Sequence, residues 1–301
     1  MTELELEHLR REKWRLEGEP IRTLEQAREF VDSVGLSLMY PVQPVLVLPT
    51  FMGAAIGTDR NLLTRKHAFA DPRGPEAEDL LARLVRNKFA FEAQLQGETL
   101  LLAPELFPYF YALASDRKPK QPLHSRTQGK ASPLTEHVLR KLDESGPLTR
   151  RELQARLGGA PSGAALDRAL QELWAALKIT PTDHDRKAGD TWDVYYRWAP
   201  EAVNEGVRVS DAEALSALIS KYLDGVVAAT QEEIESVFSA ITSRARVAEV
   251  VRAMLAAREF TYTPSETRTL ITVAHNVGRS EATRKQVESP TSSFDPRRRN
   301  G

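Results

Sequence analysis

The chain has 301 residues, 41% hydrophobic and 28% charged, enough apolar material to give two or three domains a core each and too much for disorder throughout. It contains no cysteine, which excludes a disulfide framework, a thiolate nucleophile and a cysteine-ligated zinc, and which fits a reducing compartment. The 41 Lys and Arg side chains are balanced by 42 Asp and Glu, so a nucleic-acid surface has to come from the distribution of charge rather than from its sum.

No apolar run approaches the ~20 residues of a membrane span, and the opening residues are acidic, unlike a secretory leader. The expectation is a cytoplasmic protein with no membrane contact. Residues 1–19, with Leu4, Leu9, Trp14 and Leu16, read as a leading charged helix that packs on the body. A first domain follows over residues 20–115. Thr23 and Gln26 form a capping box for a helix carrying Ala27, Phe30, Val31 and Val34, which Gly35 ends. The apolar segments 36–41 and 45–49 are broken by prolines and read as short strands or buried turns. Gly53 and Gly57 lack the Lys-Ser/Thr ending of a phosphate-binding loop and read as turn residues. Residues 61–74, with Arg65, Lys66, His67 and Arg73, form a polar loop; 76–88 is a helix with Leu80, Leu81 and Leu84 inward. Residues 89–102 are apolar around Gly97, and Pro104 opens a helix through Leu106, Phe107, Phe110, Tyr111 and Leu113.

Residues 116–131 are the most basic stretch, holding Arg117, Lys118, Lys120, His124, Arg126 and Lys130 against Asp116. They serve either as a soluble linker or as an arm along phosphates. A second domain spans residues 132–200. Ser132 and Pro133 open its first helix, with Leu134, Val138 and Leu142 on one face. Thr149 and Glu152 box the second, and Ser162 opens a third with Leu166, Leu170, Leu173 and Leu177 in one stripe. The period then changes: 178–183 and 191–198, joined by a polar turn, read as a hairpin.

Sliding this unit by 81 residues aligns a second copy over residues 208–275. Thr149 and Glu152 fall on Thr230 and Glu233, Ser162 on Ser243, and Leu166, Leu170 and Leu173 on Val247, Val251 and Met254. Ser210 and Glu213 open the copy, and 260–263 with 270–273 close it as a hairpin. Residues 276–301 are polar and read as a disordered tail. The fold class is α+β, mainly α, made of tandem winged helix-turn-helix units, an architecture that commonly sets its third helix against nucleic acid.

The repeated units, the string Pro104-Glu-Leu-Phe-Pro-Tyr-Phe110 and the hairpin exit Tyr196-Arg-Trp-Ala-Pro200 together resemble the bacterial winged-helix family that includes the AlkZ/YcaQ DNA glycosylases. The resemblance implies three winged-helix units, the first of them modified, around a concave surface for duplex DNA, and a role in repair of alkylated or crosslinked bases. It also implies a Gln-hydrophobic-Gln or Gln-hydrophobic-Asp motif soon after the first long helix. Here that place reads Leu38-Met39-Tyr40, and a leucine neither orients water nor stabilises a cationic sugar. Gln43 stands at the wrong spacing, and Gln94-Leu95-Gln96 has the right letters much further along. No residue is carried over as catalytic.

The expected DNA contacts are Arg244, Arg246 and Arg252, off the apolar stripe of the last third helix, with Arg168 on its counterpart. Arg150 and Arg151 stand at a helix N-terminus, and Lys187 and Arg268 in the wing turns. His8, His67, His124, His137, His184 and His275 show no metal-ligand spacing, so neither a metal nor a cofactor is expected. The preferred expectation is a non-catalytic protein that binds duplex DNA mainly through its phosphates. The alternatives are a glycosylase of the AlkZ/YcaQ kind or a module with a protein partner.

Overall fold

The computed structural model describes residues 1–41, 46–58, 71–123, 132–159, 161–185 and 187–274. Gln43, His67, His124, Arg126, Lys130, His275, most of the polar loop 61–74 and the tail 276–301 lie outside the described residues. The described fold mixes helices with small antiparallel sheets.

Helix α1 (Glu3–Lys13) starts in a Thr2–Glu5 capping box and is held by its later turns. Leu6 is buried, Arg10 donates to the carbonyls of Val226 and Ala228 at 3.0 and 2.6 Å, and Trp14 Nε1 donates to that of Gly225 at 2.9 Å. Helix α2 (Leu24–Val34) opens in the Thr23–Gln26 box; Gly35, at φ 73°, turns the chain directly into β1 (Leu36–Leu38). Gly53 departs from the turn expected of it: it lies inside α3 (Phe51–Ile56), capped by the Thr50 hydroxyl, while Gly57 supplies the left-handed C-terminal residue. Helix α4 (Gly74–Arg86) leads into the hairpin β2 (Phe91–Leu95) and β3 (Glu98–Leu102). The sheet order is β1-β3-β2, with Leu38 and Ala93 both opposite Leu100. A 3-10 turn at Pro104–Leu106 then enters α5 (Phe107–Ala114).

The central unit runs α6 (Pro133–Ser145), β4 (Leu148–Thr149), α7 (Arg150–Arg156), α8 (Gly163–Ala175), β5 (Ile179–Asp185) and β6 (Gly189–Val194). The second strand stops at Val194 instead of continuing to residue 198: Tyr195–Trp198 is a helical turn, α9. Its Tyr195 is drawn into the core, where its ring stacks on Phe107 at 4.8 Å. Helix α10 (Pro200–Arg208) occupies the stretch left unassigned between the second and third domains and packs on α5. Gly206 permits the approach, since a Cβ there would stand 2.7 Å from the Pro108 carbonyl oxygen.

The last unit runs α11 (Asp211–Val226), α12 (Gln231–Phe238), α13 (Arg244–Ala256), β7 (Phe260–Pro264) and β8 (Thr269–Val273). Thr149 and Thr230 both sit in complete capping boxes, and α8 and α13 are each 13 residues long, opened by Ser162 and Ser243. The Leu148–Trp192 pairing has its counterpart in an Ala229–Ile271 bridge. The hairpins differ: Ile179 pairs with Val194 but Phe260 with Val273, so the last one is two residues shorter.

The cores do not follow the three expected domains one to one. Phe30, Phe51, Phe107 and Phe110 of the first region merge with Leu215, Tyr222, Phe238 and Val251 of the last unit. The central unit has its own core around Val138, Leu142, Leu166, Leu170, Leu173 and Trp192. The cause is α5, whose Phe107, Phe110, Tyr111, Ala112 and Leu113 are all buried: a helix apolar all round has to be covered on every side, and α10 and α11 cover it.

Candidate functional site

Side chains opposite one another across a sheet share a face, so the register places Ser37, Leu101 and Glu92 on one side of the first sheet. One step along that face are Thr99 and Gln94, joined by Met39, whose N–H donates to the Thr99 carbonyl at 2.9 Å. Met39, Thr99, Glu92 and Gln94 form the floor of a cleft of about 1050 Å³. Helix α4 supplies one wall through Glu78, Asp79 and Arg86. The central unit supplies the other with Gln171 and Trp174 from α8 and His184, Lys187, Asp190 and Trp192 from its hairpin. Trp174 and Trp192 meet edge to face at 5.6 Å.

The polar centre of the cleft is His184. Its Nε2 lies 2.6 Å from Glu92 Oε1 and its Nδ1 2.7 Å from Asp190 Oδ1, so as an imidazolium it donates to both carboxylates. Burial opposes the charge, but the Glu92 and Asp190 carboxylates outweigh it and push the His184 pKa up to about 11. Glu92 is 1% exposed, and its Oε2 has no hydrogen-bond partner among the described residues. A buried carboxylate oxygen without a donor is costly to the folded state.

The two walls are tied together around this centre. Arg86 donates twice to Asp183 Oδ1, at 3.1 and 2.7 Å, Gln94 donates to Gln171, and the Tyr195 hydroxyl donates to the Glu92 carbonyl. Behind the hairpin, the buried Lys178 ammonium lies 2.9 Å from Asp116 Oδ1 and donates to the carbonyls of Lys118 and Gln121 at 2.6 and 3.1 Å.

The expected DNA-contacting cations are not gathered at this cleft, except Lys187, which lines it. Arg150 is paired with Asp167 at 2.5 Å, and Arg246 with Glu249 at 3.2 Å. Arg252 donates back to the Ala248 carbonyl at 3.3 Å. Arg268 is shared between Glu3 and Glu233. Arg151, Arg168, Arg244 and Lys187 are exposed and have no ion pair among the described residues. No group of three or more metal-ligating side chains is arranged to hold an ion among the described residues, and no described helix is long and apolar enough to cross a membrane.

Glu92, Asp190 and His184 escape a reading based on local spacing because Glu92 and His184 meet across 92 residues. The available signals are a lone acid in the apolar strand Phe91–Leu95 and the hairpin register, which sets His184 opposite Asp190.

No curated protein matches the chain. Among solved structures it is similar to the Streptomyces sahachiroi DNA glycosylase AlkZ, with a TM-score of 0.59 and 20% identity over 94% of this chain and 72% of that one, a likeness of fold. The family model described as DNA glycosylase AlkZ-like matches residues 72–296. That match takes in most of the cleft's lining and every described element from α4 to β8, and the chain belongs to the AlkZ-like DNA glycosylase family.

Proposed function

We propose that the chain is a DNA-repair protein of three winged-helix units, the first modified, that binds duplex DNA and removes an alkylated base at the cleft between its first and central units. The observation that carries this reading is the position of Glu92. It lies on the floor of the cleft beside Met39 and Tyr40, where the family resemblance expects the catalytic motif. Leu38 cannot do that motif's work, but a carboxylate can. When the bond from C1′ to the base nitrogen breaks, the electron pair leaves with the base and C1′ becomes cationic. Water then adds at C1′ and passes its proton to the surrounding solvent. The Glu92 carboxylate, held through Oε1 by His184, supplies negative charge at the floor of the cleft that is suited to stabilise the positive sugar.

The charge of the lining agrees. Glu78, Asp79, Glu92, Glu98, Asp185 and Asp190 outweigh Arg86, Lys187 and His184, which favours a cationic base over a phosphate inside the cleft. The backbone contacts then belong to the exposed cations outside it, led by Arg151, Arg168 and Arg244. Duplex carrying an N-alkylated purine, incubated with the protein and then treated with alkali, tests the reading: strand cleavage above spontaneous loss is expected, and Glu92→Gln is expected to lose about a hundredfold of it.

A second reading is favoured by Leu38 itself: a member that binds damaged duplex without cutting the glycosidic bond. Preferential binding to the alkylated duplex with no abasic product selects it.

A further inference from the structure

The turn between β7 and β8 converges on a single carboxylate. Ser265 Oγ lies 3.1 Å and Thr267 Oγ1 3.3 Å from Glu3 Oε1; Arg268 reaches the same oxygen through Nε at 3.0 Å and Oε2 through Nη2 at 2.7 Å. A guanidinium fork alone satisfies a carboxylate. Two hydroxyls beside a fork make a larger donor set, of the kind that grips the non-bridging oxygens of a phosphate.

Two further features separate the donor set from its present occupant. Arg268 Nη1 is held by Glu233 at 3.0 Å, and Glu233 is fixed in turn by the capping box of α12, so the guanidinium keeps a second anchor when Glu3 leaves. Helix α1 is anchored away from Glu3, by buried Leu6 and by Arg10, Lys13 and Trp14 on the carbonyls of residues 224–228. Glu3 therefore closes the site without being what docks the helix. Both partners stay open to solvent, at 36% and 35% side-chain exposure, so an incoming phosphate can reach the fork.

We propose that Ser265, Thr267 and Arg268 form a binding site for a backbone phosphate of nucleic acid, and that the Glu3 carboxylate occupies this site in the free protein. The choice of a nucleic-acid phosphate rests on the DNA-binding reading above; the oxyanion site itself stands on the geometry. Duplex DNA has to displace Glu3 to engage the last wing, and α1 is a competitor that restrains binding.

The test compares the wild-type chain, Glu3→Gln, Arg268→Ala and the double variant for affinity to a duplex oligonucleotide over a range of salt, with thermal melts confirming that each is folded. Releasing an exposed ion pair should tighten binding by Glu3→Gln about two- to fivefold at low salt. One more phosphate contact should steepen the salt slope by about 0.9. The double variant should match Arg268→Ala, with no gain from the Glu3 change. Equal affinity and slope for wild type and Glu3→Gln would overturn the proposal. If no variant binds DNA, the DNA-binding reading falls, and the site is decided by titrating inorganic phosphate into Glu3→Gln while following the Arg268 Nε resonance. A saturable shift absent from wild type supports an oxyanion site closed by Glu3, and no shift at tens of millimolar removes it.

Discussion

His184 Nε2 lies 2.6 Å from Glu92 Oε1 and joins the hairpin of the central unit to the edge strand β2 of the first sheet. The imidazolium is held by both Glu92 and Asp190, which raises its folded pKa from the ordinary 6.5 to about 11. A group whose pKa is raised on folding contributes stability that is complete below its unfolded pKa and is lost as pH rises through the folded one. Wild-type stability should therefore decline between pH 6.5 and 11, and His184→Gln should remove that part of the slope. Urea midpoints at pH 6, 8 and 10 check it; parallel profiles for the two proteins would refute the charged pairing.

Lys178 makes a comparable link behind the same hairpin, through an ammonium 1% exposed. Burial lowers its pKa and the Asp116 carboxylate opposes that fall. Lys178→Ala should cost about 3–5 kcal/mol, because it leaves the Asp116 carboxylate without its countercharge and two carbonyls without their donor. Lys178→Met should cost less when Asp116 is changed to Asn with it than when it is changed alone, since the double change removes the stranded charge. A double-mutant cycle by urea unfolding measures the coupling.

The helix starts are legible in the sequence because caps are local: Thr149 with Glu152 and Thr230 with Glu233 announce their helices within four residues each. What the sequence hides depends on distant packing. Tyr195 and Tyr196 are β-prone, yet their segment coils, because Tyr195 finds its partners in Phe107 and the Glu92 carbonyl, far away in sequence. Helix α10 leaves little trace because its apolar residues are few, and its packing relies on a glycine, which carries no hydrophobic signal. The ionic centre of the cleft is hidden for the same reason, since Glu92 and His184 are adjacent only once the central unit is docked.

Separate cores predict separate responses. Leu170→Ala removes a side chain from the core of the central unit, and a loss of about 2–5 kcal/mol should appear there as faster amide exchange in α6, α8 and β5. Phe238→Ala, at a cost of about 3–5 kcal/mol, should loosen α2, α5 and α11 together, because their core is continuous. Exchange measured by mass spectrometry separates the two. Spread of the Leu170→Ala effect into α2 and α11 would show the cores to be one cooperative unit.

Among the exposed cations, the pairing pattern decides which should matter for DNA. Arg151, Arg168 and Arg244 have no ion pair among the described residues, whereas Arg150 is already neutralised by Asp167. Removing a cation that binds one phosphate should flatten the dependence of log affinity on log salt by about 0.9. Alanine at Arg151, Arg168 or Arg244 should produce that change with little sequence dependence, as expected of groups that position the duplex without reading its bases. Arg150→Ala should change the slope less, because binding through Arg150 requires parting it from a carboxylate 2.5 Å away. Titrations of one duplex at four salt concentrations distinguish these variants, and a larger effect at Arg150 than at the other three arginines would place the DNA on the other side of α7.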